Sequence, residues 1–172
     1  MQVTFYLFTI KLVILREKKA EYYYMKHSGC TFEYEEERNN DFMRAYTEQI
    51  AGRREIILAD VFSRVVEMPS KRFWVSEERA AIVISDMMRG KSLDKMRQKK
   101  REMFQEIYRR TMSILEKQPG MSVYDAVSVV VRSPAPQFYL TPQSARIIFY
   151  RIKKKWYERN LAKLSRSRHH HR

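Results

Sequence analysis

Apolar residues recur at three- and four-residue spacing in six stretches of this chain, and helix start and stop signals bound each one. The first opens in the acidic run Glu35, Glu36 and Glu37, carries Phe42, Ala45, Tyr46 and Ile50 as its stripe, and ends at Gly52. The second covers about 54–67, with Ile57, Leu58, Val61, Phe62 and Val65 as a broad face to be buried, and Met68-Pro69 breaks it. The third starts at the cap Ser76, has Glu77 and Glu78 in its first turn, runs on Ala80, Val83, Ile84 and Met87, and stops at Gly90. The fourth spans about 98–117 on Phe104, Ile107, Tyr108, Met112 and Leu115, up to Gln118-Pro119-Gly120. The fifth covers 123–132, and Ser122 with Asp125 forms a capping box with Asp in place of Glu.

The sixth stretch, 141–168, organises the rest. Thr141 caps it, and Pro142 takes the first helical position, where a missing N–H costs nothing. Ala145, Ile148, Phe149, Ile152 and Trp156 make an apolar stripe. Arg146, Tyr150, Lys153, Lys154 and Tyr157 repeat with the same period on another face. A helix with an oily side inward and a basic, aromatic side outward can lie against phosphates and present side chains to bases.

Charge sharpens this picture. The net charge is +14, and residues 1–90 hold 14 Lys/Arg against 14 Asp/Glu, so the whole excess falls in 91–172, with 20 against 6. Concentrated positive charge suits a polyanion. Few Gly and Pro (4 and 5) and 31% charged residues favour long helices over many strands. The fold expected is all-α.

The amino-terminal residues differ from the rest. Residues 1–15 are apolar but too short for a membrane span, and Lys11 interrupts them. They lack the cationic start and small-residue cleavage site of a secretory signal. Their β-branched and aromatic content suits a short strand or a loosely packed extension, and Met25 reads as an alternative start. Cys30 is the single cysteine; no internal disulfide can form, and a reduced cytoplasmic setting is expected. The tail 165–172 is basic, and His169, His170 and His171 carry no metal-site pattern.

A shift of 65 residues aligns two segments without gaps. Asp60 falls on Asp125, Ser63 on Ser128, Val65 and Val66 on Val130 and Val131, Pro69 on Pro134, Phe73 on Phe138, Ala80 on Ala145 and Ile82 on Ile147. Trp74/Tyr139, Val75/Leu140 and Ser76/Thr141 are conservative pairs. Two helix–helix–loop–helix units are expected, about 41–90 and 106–156, inside a near-neutral segment 31–90 and a basic segment 91–164. Convergent helix punctuation is the plainer explanation.

Phe73-Trp74-Val75-Ser76 with Ala80 and Val83, and Phe138-Tyr139-Leu140-Thr141 with Ala145 and Ile148, resemble the trihelical helix-turn-helix group of DNA-binding domains. Here the loop is longer than the turn of that group. The resemblance implies that the last helix enters a major groove by its first turns. Gln143, Arg146 and Tyr150 would then approach base edges. Lys153, Lys154, Lys155 and Arg159 would meet phosphates, with Arg109 and Arg110 clamping the backbone from the fourth helix. The first unit, with Glu77, Glu78 and Asp86 on its last helix, would brace the second or bind protein.

No Gly-rich phosphate loop, paired-cysteine motif or catalytic constellation stands out, so no enzyme, cofactor or metal is expected. The expected partner is nucleic acid, duplex DNA by preference, as in a transcriptional regulator, with no membrane. RNA and an acidic protein partner are the alternatives. For Lys153, Lys154 and Lys155 a merely solvated face is the plain reading; for Trp74 it is a packed core aromatic.

Overall fold

A computed structural model describes residues 34–169, with side chains as far as Leu161. The chain divides into two compact units, Met1–Glu35 and Glu36–Arg172, and the second is the one described here. The expected amino-terminal strand or extension, Cys30 and the final histidine side chains lie outside the described residues. The described part is all-α, with six helices: α1 Glu35–Ile50, α2 Leu58–Glu67, α3 Glu77–Met88, α4 Gln98–Lys117, α5 Val123–Arg132 and α6 Pro142–His169.

Local chemistry sets most of these boundaries. Ser76 Oγ accepts the Arg79 amide at 3.2 Å, Ser122 Oγ accepts that of Asp125 at 3.1 Å, and Thr141 Oγ1 accepts that of Ser144 at 3.1 Å. Each satisfies one of the four amides that a helix start leaves unpaired. Gly90 takes φ +80° after α3, a conformation that a side chain would strain. The second helix differs from the sequence reading. It begins at Leu58 rather than near residue 54, because Ile57 occupies the cap position in an extended conformation and its side chain has no oxygen to offer. Ile57 and Leu58, expected inside, are exposed at 56% and 39%, while Val61, Phe62 and Val65 are buried.

The six helices bury two apolar cores, and neither belongs to one half of the sequence. The first joins Phe73, Val75, Ala80, Val83 and Ile84, from the first half, to Met103, Phe104, Ile107, Val127, Val130, Val131, Ala135 and Tyr139 from the second. In the other, Phe42, Ala45, Tyr46, Val61, Phe62, Val65 and Val66 pack with Phe138, Ala145, Ile148 and Phe149. The third helix of each half is thus exchanged. α3 packs on α4 and α5, while α6 packs on α2 and meets α1 through Tyr46 and Phe149, whose rings lie 4.6 Å apart.

The crossing point is made of backbone. Ser70 and Ala135, 65 positions apart, exchange both amide–carbonyl hydrogen bonds at 3.0 Å as one antiparallel bridge. On either side, Phe73 N–H donates to the Val131 carbonyl at 3.0 Å and Phe138 N–H donates to the Val66 carbonyl at 3.1 Å. Adding 65 to the residues of the second side's carbonyl and the first side's amide turns each bond into the other. The aromatic pairs follow the same exchange: Phe73 stacks on Tyr139 at 5.9 Å in one core, while Phe138 and Trp74 belong to the other. Tyr139 reaches its place with φ +53°, a left-handed conformation that costs a non-glycine residue about 1–2 kcal/mol. Its turn sends the Tyr139 ring into one core while Leu140 returns to the other.

The second core runs out at Ile152. Trp156, expected on the buried stripe, is 59% exposed, because α1 has already ended at Ile50 and α2 starts only at Leu58. The rest of α6 extends past its supports.

The caps give a prediction. Ser122→Ala is expected to lower unfolding free energy by about 1 kcal/mol, and Ile57→Ser, which supplies the oxygen that α2 lacks, is expected to raise it by about 0.5–1 kcal/mol. Urea unfolding followed by far-UV circular dichroism measures both; a loss of stability in Ile57→Ser would contradict the cap assignment.

Candidate nucleic-acid interface

α6 is anchored by its first three turns. Ala145, Ile148 and Phe149 are buried against α1 and α2, and Ile152 is half-buried beside them. Residues advance about 100° each around a helix, so fixing this stripe fixes the opposite one. Gln143, Arg146, Tyr150, Lys153, Lys154 and Tyr157 fall on that opposite side within about a third of a turn, and all are exposed. Ile147, at 51% exposure, stands among them. Lys155 and Arg159, grouped with them on sequence grounds, lie on the other side of the rod, in line with the anchoring stripe. Both are exposed because the core has already ended there.

Cations and rings alternate along the outer stripe. The Arg146 guanidinium lies over the Tyr150 ring at 5.8 Å, and the Lys153 ammonium over the Tyr157 ring at 5.9 Å. Such contacts at exposed sites are worth about 0.5–1 kcal/mol and leave the remaining N–H donors facing water. Lys154 has a loose ion pair with Glu158 at 3.9 Å, a surface contact of small value. The stripe therefore offers donors for phosphate oxygens and flat rings for stacking, already partly ordered by one another.

The two arginines of α4 sit in a different setting. Arg110 donates to the Pro134 carbonyl at 2.8 Å, to Ser133 Oγ at 3.3 Å and to Glu106 at 2.7 Å, and its guanidinium lies 5.2 Å from the Phe73 ring. Its donors are thus turned to the loop before α6. Arg109 is more open but makes a two-pronged pair with Glu106, at 2.9 and 2.7 Å. That bond to Arg109 is the main reason the Glu106 carboxyl titrates below its ordinary value, with Arg110 adding to it against the opposing effect of burial; the Arg109 guanidinium is correspondingly held protonated. The first half contains the counterpart: Arg44 binds buried Asp41 at 2.8 Å and donates to the Pro69 carbonyl at 3.1 Å. Asp41 also accepts the Lys71 amide at 2.8 Å. In both halves an arginine on the first helix holds the proline carbonyl of the loop.

α3 occupies the position in its half that α6 has in the other, and its surface is of mixed sign. Glu77 is bound by Arg132 from α5 at 2.8 and 2.9 Å and lies 3.5 Å from Arg72. Hydrogen bonding from Arg132 draws the Glu77 carboxyl below its usual range, outweighing burial. Asp86 is engaged by Arg89 and by Lys91, the latter at 2.9 Å. Trp74 is half-buried against the second core, and its indole N–H is buried without a hydrogen-bond partner. Sequence spacing alone assigned Lys155 and Arg159 to the phosphate set; what it lacked was the point where α1 and α2 stop supporting α6.

No protein-family model, curated protein or solved structure matches this chain.

Arginines in these two settings should respond differently to truncation. Arg110→Ala is expected to lower stability by about 1–3 kcal/mol, since it unpairs a buried carbonyl and a carboxylate, whereas Arg146→Ala is expected to stay within about 0.5 kcal/mol. Thermal unfolding of both variants checks this; equal effects would contradict the division.

Proposed function

We propose that the chain is a nucleic-acid-binding protein that grips duplex DNA through the outer stripe of α6. One observation carries the reading: six exposed residues on one side of a well-anchored helix comprise three cations, two tyrosines and a glutamine, with Glu158 the only carboxylate near them in an ion pair. Gln143 and Arg146 stand in the first two turns, where a helix entering a major groove meets base edges. Lys153 and Lys154 follow one and two turns later, at the right spacing for a phosphate strand that passes the groove. The charge of the molecule favours the same partner. The excess of +14 is confined to residues 91–172, so the field around α6 attracts a polyanion before contact.

The 65-residue correspondence reads as a tandem repeat, and each repeat as a helix-turn-helix-like unit whose third helix has been exchanged. In this reading α6 is the recognition helix. α3, with Glu77, Glu78 and Asp86, is its counterpart and has lost the charge to approach DNA. The exchange serves α6 by seating its stripe on α1 and α2, which carry little positive charge of their own. A binding role, in transcription or in organising DNA, accounts for the stripe without calling on catalysis. A structured RNA would meet the same cations, but Gln143 and Arg146 have hydrogen-bonding geometry suited to adenine and guanine edges in a groove that A-form RNA closes to side chains.

Charge reversal gives the test. Arg146→Glu with Lys153→Glu is expected to lower affinity for duplex DNA by at least about a hundredfold at physiological salt and to flatten the dependence of log K on log salt. Both side chains are exposed, so far-UV circular dichroism should stay as in the parent protein. Fluorescence anisotropy with a labelled duplex, a structured RNA and an acidic peptide reads out the partner. Undiminished duplex affinity in the double variant would reject the assignment to α6; preference for the peptide would favour a protein-docking role.

A further inference from the structure

The end of the bundle where α1 finishes and α2 begins carries a second surface, of a different kind from the outer stripe. Residues 51–60 are all exposed, and they include three consecutive large aliphatic residues: Ile56 at 45%, Ile57 at 56% and Leu58 at 39%. Side chains of three successive residues cannot all share one helix or strand face, so this triad is not a core stripe that missed its partner. The other half shows what the position requires for folding alone. Ser122 stands 65 residues after Ile57 and caps α5, while Ile57 makes no side-chain cap for α2. An isoleucine here forgoes a cap and leaves an oily side chain in water.

α6 reaches the same end. Phe138 is bonded to Val66 at the far end of α2, and further along α6 the Phe149 ring meets Phe62 at 5.5 Å, so α6 runs antiparallel to α2. One more turn brings Ile152 to the level of Leu58. The anchoring side of α6 then continues past the core as Trp156 and Arg159, both exposed, above the α1–α2 loop. That loop adds Arg53 and Arg54, both exposed. Aliphatic residues, an exposed indole and a rim of guanidinium groups therefore share one end of the bundle, on the side of α6 away from Arg146 and Tyr150.

We propose that this end docks on an anionic phospholipid surface. Ile56, Ile57 and Leu58 enter the headgroup–acyl boundary, Trp156 lies at the headgroup level, and Arg53, Arg54 and Arg159 meet the lipid phosphates. The charge selects this occupant. A second copy would bring the same cations against these, and bare nucleic-acid phosphates give the three aliphatic side chains nothing to bury against. An anionic bilayer satisfies both: apolar loops and interfacial tryptophan partition at its boundary, and basic residues add attraction to acidic lipids. Surface docking needs no spanning helix, and no described helix is long and apolar enough to cross a membrane.

Flotation of the full chain with vesicles tests this. Binding is expected with mixed phosphatidylcholine–phosphatidylglycerol vesicles and not with phosphatidylcholine alone, accompanied by a blue shift of emission that Trp156→Phe removes. Ile56→Ser with Ile57→Ser leaves every charge in place and gives α2 a cap, so it stays folded; it is expected to lower vesicle affinity at least about tenfold while duplex DNA affinity is unchanged. Unchanged vesicle affinity in that variant would mean attraction by charge alone and would overturn the proposal. So would absence of flotation, or self-association in sedimentation that the same variant abolishes. A parallel loss of duplex affinity would place Ile56 and Ile57 in the nucleic-acid surface instead and overturn it as well, whereas the outcome for Arg146→Glu with Lys153→Glu bears on the outer stripe alone.

Discussion

Two hydrogen bonds between Ser70 and Ala135 tie the halves of this molecule together at the place where their chains cross. Both residues lie in loops that follow a proline and precede an aromatic pair, and both are buried. A buried loop must satisfy its amides and carbonyls, and here the satisfaction is mutual: each loop is the other's partner. The next bonds outward, Phe73 to Val131 and Phe138 to Val66, commit each loop to the helix of the opposite half. Once they form, α3 and α6 can pack only on the far side of the crossing. The arginines that hold the proline carbonyls, Arg44 and Arg110, fix the loops from outside.

This arrangement explains the reach of α6. Its stripe is buried against helices from the other half, which end before it does, so the remainder projects with both sides in water. One side continues the basic, aromatic row that we assign to nucleic acid. The other carries Trp156 and Arg159 over the exposed α1–α2 loop. A helix packed within its own half would have been cut to the length of its neighbours. The exchange thus supplies both an anchored base and a free arm, from one sequence period.

Much of the fold was legible in the chain. Gly and Pro punctuation, with Ser76, Ser122 and Thr141 as caps, gave helix boundaries close to those observed, because capping is local chemistry. The correspondence of Pro69 with Pro134 and Phe73 with Phe138 pointed to loops of one design. Periodicity showed which side of each helix is oily, but not which helix covers it: a stripe of Ala145, Ile148 and Phe149 fits α4 and α5 as well as α1 and α2. That choice is made by the backbone bonds at the crossing. For the same reason Ile57, Leu58 and Trp156 were assigned to the interior, since a spacing pattern carries no information on where the supporting helices stop. Likewise Arg110 was placed with the phosphate contacts, although its use by Pro134 and Phe73 depends on a loop folding back over 24 residues.

The exchange can be measured through the coupling of the two cores. Val65 is wholly buried in one core, and Ile107 and Val130 lie in the other. Native-state hydrogen exchange on Val65→Ala, compared with the parent protein, reports opening of each core separately. If each core depends on a helix whose loop is tied into the other, the slowest amides of α4 and α5 should lose about the same protection as those of α2, near 1–3 kcal/mol. A loss confined to α1, α2 and α6, with α3, α4 and α5 unaffected, would contradict the interleaved fold.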